Sequence, residues 1–420
     1  VDVPVVDTLL LLRPTDSPTL FIQQLGRGLR KSHGKLQCTV LDFVGHHRKE
    51  FRFDRRLRAL LGGSRKGLIQ QIEQRFPFLP AGCHMELDRV AQDIVLENLR
   101  QAVPSLWRRK VEELRAIAVD NPSVTLAQFL NDTDLDVEDV YQGSKSWSDL
   151  RTDAGLAIAE SGPHETALRR ACGRVLHIDD PVRINAYRSF LRSPSEPRVG
   201  ALAERDRRLL RMLVASVADA ALTAETTLQH GYQLVRSHPQ VVAELLELLD
   251  ALDARVNHLQ HDLVSHPDVP LRVHSRYTRL EIFAAFGIGE VARVATWRSG
   301  VHWAREAKAD LFAFTLDKTS GEFSPTTRYR DYAINRELVH WQSQSVTRED
   351  SEPGLRYQNH VRLGTTVFLF GRLNTDDRAL WFLGPATYVK HESETPMSVT
   401  WRLKYPLPGD LFEKFAAAVA

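Results

Sequence analysis

Cysteine is scarce in this chain: Cys38, Cys83 and Cys172 are three in 420 residues, too few and too scattered for a disulfide framework or a zinc site. The expectation is a cytoplasmic protein of reducing surroundings, with no bound metal. Long apolar runs are missing too. No stretch of roughly eighteen or more apolar residues occurs, and the start lacks the charged and apolar regions of a signal peptide, so neither a membrane partner nor export is expected. Low-complexity tracts and repeat periods are absent. So is the phosphate loop G-x-x-x-x-G-K-[ST]: Gly62-Gly63-Ser64-Arg65-Lys66 lacks its spacing, and no D-E-x-[DH] follows a strand. Without those parts the chain alone has no means of holding ATP and Mg2+ productively.

What is present is an ordinary globular composition, 43% hydrophobic and 26% charged, in a chain long enough for two or three domains. The net charge of +2 hides an asymmetry. The first 68 residues hold 13 Lys and Arg against 6 Asp and Glu, so the basic end is where a polyanion is expected.

Val5 to Arg13 is an apolar run bounded by Pro4 and Pro14, which predicts a strand buried on both faces of a parallel sheet. Asp16, Ser17 and Pro18 offer capping chemistry for a helix from Thr19 to Lys31, and Leu36 to Val44 predicts the next strand. This is a βαβ unit. Its helix carries Gln23, Gly26, Arg27 and Arg30. Two arginines three apart share a helical face, and planar guanidinium groups suit phosphate oxygens. Gly26 leaves room for close approach, and Gln23 can donate and accept one turn upstream. After Gly45, the residues Arg48, Lys49, Arg52 and Arg55 are interleaved with Phe51 and Phe53, either as a solvated basic face or as a contact that tracks a nucleic-acid backbone.

From about Lys66 to His266 the pattern is helical, with stripes over Glu86 to Ala102, Ser105 to Ala118, Val182 to Leu191, Ala203 to Ala221 and Gln240 to Leu259. Near Ser265 to Leu271 the character changes. A short helix over Leu280 to Phe286 opens a mainly β unit with strands over Leu311 to Leu316, Thr366 to Phe370, Leu380 to Phe382, Ala386 to Val389 and Val399 to Leu403. Hairpin chemistry falls at Thr319-Ser320-Gly321, Asn374 to Asp377 and Glu392 to Thr395. The polar and aromatic residues Tyr329, Asp331, Tyr332, Trp341, Gln342 and Gln344 form the richest cluster. On composition they are either a pocket that stacks and reads a planar base, or amphipathic core residues. Two short motifs are discounted. His33-Gly34-Lys35 lacks the aspartate of an H-x-K nuclease, with Val40 in its place, and no strand-borne aspartate precedes Glu306-Ala307-Lys308.

The spacing Q-x-x-G-R-x-x-R, preceded by Val1-Asp2-Val3-Pro4 and the run Thr8 to Leu12, resembles the last two signature motifs of superfamily 2 helicases of the DEAD/DEAH-box class. The resemblance covers about the first fifty residues. It implies the end of a second RecA-like domain, with Asp2, Gln23 and Gly26 supporting the ATP cleft and with Arg27 and Arg30 reaching the γ-phosphate. The first RecA-like domain, which would hold ATP and Mg2+, then lies outside this sequence. The chain is expected to be a fragment that binds no cofactor and hydrolyses no ATP alone. Tyr277 to Ile282, Thr326 to Ile334 and His340 to Gln344 resemble the C-terminal domain that follows the helicase core in restriction-type bacterial proteins, where a phospholipase-D-like nuclease can precede the helicase. That domain has been likened to SRA domains, which flip a methylated cytosine.

Together these readings predict a multidomain α/β, then α, then mainly β protein. Residues 1–50 would end a RecA-like domain, residues 51–270 would form a helical connector that is basic at its start, and residues 271–420 would form a small barrel-like (PUA/SRA-like) unit that recognises DNA. The expected activity is that of a DNA helicase or translocase in restriction or phage defence. The alternative is a non-catalytic module that binds modified DNA or a partner protein.

Overall fold

The computed structural model describes residues 4–12, 18–43, 57, 60–61, 65–76, 79, 83–101, 106–133, 135–159, 162–193, 198–223, 225–289, 297, 300–316 and 331–417. The chain packs as two units, residues 1–113 with 130–136, and residues 114–129 with 137–420.

In the first unit, β1 (Thr8–Leu11) pairs in parallel with β2 (Thr39–Asp42), in register from Thr8 opposite Thr39 to Leu11 opposite Asp42. Between them runs α1 (Pro18–Gly28), which buries Phe21 and Leu25 on one stripe. The predicted strand, helix and strand are all present, but β1 is not buried on both faces as expected, since Leu10 is exposed and α1 covers the side of Leu9. The helix stops three residues short of Lys31. The side chain of Lys35 returns to donate to the carbonyls of Gly28 and Arg30, the latter at 3.1 Å, and so satisfies acceptors that a continuing helix would have used itself. Further along, α2 (Arg65–Glu73) and α3 (Arg89–Gln101) share a core of Ile72, Phe76, Val95, Leu96 and Leu99.

The second unit begins with a helical layer. Its members include α4 (Trp147–Ala154), α5 (Glu165–Cys172), α6 (Pro181–Arg192), α7 (Glu204–Ala218), α8 (Leu228–Arg236) and α9 (Pro239–Asp253). Local chemistry sets their starts. Ser146 and Asp149 form a capping box on α4, and Asp180 accepts from the amides of Val182 and Arg183 ahead of Pro181 on α6. Glu244 on α9 is fully buried and accepts from the amides of Trp147 and Ser148, which gives α4 a second anionic cap.

A two-stranded pair, β3 (His261–Asp262) with β4 (Arg272–Val273), precedes the main sheet. That sheet contains β5 (Arg276–Thr278), β6 (Val301–Ala304), β7 (Ala309–Thr315), β8 (Tyr332–Ala333), β9 (Leu338–Gln342), β10 (Thr366–Arg372), β11 (Ala379–Glu392) and β12 (Ser398–Leu403). Its order is β6-β7-β10-β11-β12-β9-β8, with β5 added on β11. The predicted mainly β unit is thus a mixed sheet, because β7 and β10 run in parallel. Among the described residues no pairing of β6 with β8 closes it. The helices α10 (Arg279–Ala285), α11 (Glu352–Asn359) and α12 (Gly409–Ala417) accompany the sheet. The two strands expected over 380–389 are one 14-residue strand, which passes through Gly384 at φ 89° and Pro385.

Helical layer and sheet are joined by buried charge. Glu281, with no exposed surface, accepts from His177 Nε2 at 2.6 Å, Arg183 at 3.0 Å, and the amide and hydroxyl of Thr278 at 2.7 and 2.9 Å. Arg183 also donates to the carbonyl of Arg276 at 2.9 Å and lies 4.4 Å over the Tyr277 ring. Tyr277 in turn donates to Asp180 at 2.8 Å. Burial opposes ionisation of Glu281, but His177 and Arg183 outweigh it and bring its pKa down to about 2.

Candidate nucleotide and nucleic-acid sites

Two places carry the residues singled out in the sequence. In the first unit, Gln23, Gly26 and Arg27 lie on the exposed side of α1, opposite the buried Phe21 and Leu25. Open space surrounds the position a Cβ on Gly26 would take. The crowded glycine is Gly28, where a Cβ would stand 2.7 Å from Leu9 Cγ and 2.9 Å from Cys38 Sγ. Close packing against the strand is therefore the task of Gly28, and Gly26 keeps the outer face of the helix clear. Arg30 is exposed but belongs to the segment after the helix, since α1 ends at Gly28. Its carbonyl is held by Lys35. Lys35 was visible in the sequence only as part of a discounted nuclease motif, yet a lysine a few residues past a helix end is a known partner for terminal carbonyls. Asp2, Arg48, Lys49, Arg52, Arg55 and Tyr329 lie outside the described residues.

A groove of about 650 Å³ in this unit is lined by Val5, Asp7, Thr8, His33, Gly34, Lys35, Leu36, Gln37 and Thr39. It opens at the amino ends of the two strands and contains none of Gln23, Gly26, Arg27 or Arg30. In open parallel sheets ligands gather outside the carboxyl ends of the strands, so we attach no chemistry to this groove.

The second place is the β8–β9 edge. Tyr332 stacks on His340, with ring centroids 4.7 Å apart at 16°. The carboxylate of Asp331 is buried and accepts from the amide of Gln342 at 2.9 Å, so it fixes the backbone beside the strand. The Gln342 side chain donates to Ser398 at 3.1 Å. The carbonyl of Gln344 accepts from the amide of Thr347 and the hydroxyl of Ser343 and forms a turn. Trp341 belongs to neither a pocket nor a surface. It stacks on Phe312 at 4.3 Å in the main core, and its exposure of 3% leaves no ring face for a base, which corrects its inclusion in the pocket. Strand periodicity is the reason: along Leu338–Gln342, Val339 and Trp341 point inward while His340 and Gln342 point to the other face.

Residues 271–415 match the family described as Domain of unknown function (DUF3427). The match covers nearly all of the sheet-rich part and leaves out His177 and Arg183, which hold Glu281. A stretch of 44 residues is 52% identical to the Saccharomyces cerevisiae protein named Putative ATP-dependent helicase IRC3, covering 10% of this chain and 6% of the yeast protein. To that extent the chain is helicase-related. Among the described residues no helix is long and apolar enough to cross a membrane, and no three His, Cys, Asp or Glu side chains converge where a metal ion could be held.

Proposed function

We propose that this chain is the carboxyl-terminal portion of an ATP-dependent DNA helicase or translocase of a restriction or phage-defence system. Its ATP cleft is completed by a RecA-like domain not contained in these 420 residues, which holds ATP and Mg2+. Arg27 and Arg30 face the γ-phosphate and stabilise the charge that develops in phosphoryl transfer. Gly26 keeps the approach open, Gln23 and Asp2 support the cleft, and the basic stretch with Arg48, Lys49, Arg52 and Arg55 follows a DNA backbone. The sheet-rich part, through Tyr332, Gln342 and their neighbours, recognises the DNA target, modified or not.

The observation that carries this reading is the exposed side of α1, with Arg27, Gln23 and the bare Gly26, and the exposed Arg30 just past its end, on a βαβ unit with no phosphate loop of its own. The short similarity to a protein named as a helicase supports it. In a protein carrying both RecA-like domains, Arg30→Ala should lower DNA-stimulated ATP hydrolysis by roughly 10³-fold or more with little change in DNA affinity. An unchanged rate would sink the assignment.

A further inference from the structure

The face of the main sheet that α10 covers holds a second pair of arginines. Arg279 opens α10, and Arg372 ends β10. Arg372 lies two residues beyond Phe370, so the two side chains leave β10 on the same face. Trp297 meets Phe370 edge-on at 6.1 Å, and Arg279 lies 5.7 Å over the Trp297 ring while donating to its carbonyl at 2.9 Å. Both side chains therefore lie on the same side of the sheet, Arg279 beside Trp297 and Arg372 two residues beyond the Phe370 that Trp297 meets.

No carboxylate among the described residues acts on Arg279, and those that act on Arg372 are Asp377 and Asp376, close by in the chain. Among the described residues, Arg279 donates only to that carbonyl, and its buried Nε has no partner. Arg372 donates to the Thr315 hydroxyl at 2.9 Å and to the carbonyls of Thr375 and Asp377 at 3.2 and 2.8 Å. Neither forms an ion pair among the described residues, and the carboxylate of Asp377 turns instead toward Arg276, at 3.7 Å. Trp297, 5% exposed, has an indole N–H with no partner either. Burial lowers the pKa of both arginines; for Arg279 the neighbouring Arg372 lowers it further, while for Arg372 the carboxylates of Asp377 and Asp376 offset part of the effect. Two half-buried cations with unspent donors are costly to hold together unless an anion meets them.

We infer that Arg279 and Arg372, with the Trp297 indole N–H beside them, form a phosphate-binding site. Guanidinium groups bind phosphate oxygens in pairs, and an indole N–H adds a neutral donor. The site deepens the DNA-recognition reading and rests on it for the source of the phosphate: a backbone contact that positions a duplex while other side chains read it.

The test uses the full chain and two probes, inorganic phosphate at fixed ionic strength against chloride, and a duplex DNA over a salt series. Arg372→Gln and Arg279→Lys are compared with the wild type, and circular dichroism checks the fold. Should Arg372→Gln not fold, the Arg279→Lys variant carries the measurement alone. Phosphate binding at least about tenfold weaker in the variants, with a salt slope for DNA reduced by about 1, is the expected result. Weakened phosphate binding in a protein that binds no DNA would uphold the site, with a free phosphate or nucleotide as its source, and would count against the DNA reading. Wild-type protein that ignores phosphate, or variants that bind it unchanged, would overturn the site whatever DNA does.

Discussion

Among the described residues, β1 pairs in parallel with β2 and β7 with β10, yet the two pairs are covered in opposite ways. Every residue of β7 is buried, and Phe312 and Leu369, which face each other across the β7–β10 pairing, have no exposed surface. The β1–β2 pair is covered by α1 only on the side of Leu9. Its other side presents Leu10 and Leu41, register partners exposed at 55% and 46%, with Leu12 at 71% and Phe43 at 53%. Parallel strands are found almost only in sheets covered on both faces, and two strands do not stand alone. The β7–β10 pair is therefore a finished core. Among the described residues the β1–β2 pair is open on the face of Leu10 and Leu41. The same contrast separates the arginines: Arg183 is fully buried against Glu281, while Arg27 stands exposed on α1.

The sharpest way to break this comparison is truncation on both pairs. Phe312→Ala should destabilise the second unit by ~3–5 kcal/mol, whereas Leu10→Ala should change stability by about 0.5 kcal/mol or less in this chain. Urea unfolding of the full chain measures both. A large cost at Leu10 would mean that its face is already part of a core. A similar cost awaits the joint between helices and sheet. Arg183→Ala leaves the carboxylate of Glu281 buried without its guanidinium and with only the hydrogen bonds from His177 and Thr278, which should cost ~3–5 kcal/mol. For the same reason residues 271–415, expressed without the helical layer and so without Arg183 and His177, should be poorly folded. A cooperative unfolding transition of that fragment equal to that of the full chain would disprove the dependence.

Acid should act on the second unit in two steps. His274 is 1% exposed, and burial, with His261 beside it, brings its pKa down to about 4. The unfolded chain takes up this proton below about 6.5 while the folded chain does not, so stability is full above that pH and falls as the pH drops from about 6.5 toward 4. Glu281 gives the second loss. Its depressed pKa contributes stability above the ordinary carboxylate range that disappears as pH falls from about 4.5 toward 2. His274→Gln should reduce the first loss, to which His266, His302 and His360, also lowered by burial, contribute the remainder, and leave the second, as measured by thermal midpoints across that range.

Much of this architecture was legible. The βαβ unit followed from one apolar run, a cap and a helical stripe, and α10 and the long helices of the second unit followed from period alone. Lengths were less so. Leu29, Arg30 and Lys31 are good helix formers, yet α1 ends on Gly28, and Lys35 returns to satisfy the carbonyls of Gly28 and Arg30. The short helices α4 and α11 went unnamed although Ser146 with Asp149, and Ser351 ahead of Pro353, are start signals. For Trp341, reading the period of two through Leu338–Gln342 would have put it inward with Val339. The Arg183–Glu281 pair lies 98 residues apart in sequence, and no local pattern announces such a contact.

The contrast between Gly26 and Gly28 best separates structure from function on α1. At Gly28 a methyl group would press on Leu9 and Cys38, the side chains that seat the helix on its strand, so Gly28→Ala should cost ~1–3 kcal/mol through overpacking. At Gly26 the same methyl group enters open space within a helix, where alanine is preferred over glycine, so Gly26→Ala should stabilise the first unit by up to ~1 kcal/mol. If that open face exists to let a nucleotide phosphate or a facing domain approach, the stabilised variant should nonetheless lose DNA-stimulated ATPase in the two-domain protein. Gain of stability with loss of activity would locate the function of Gly26 outside its own unit. Gain of both would make it an ordinary surface glycine and leave Arg27 and Arg30 to carry the helicase reading without it.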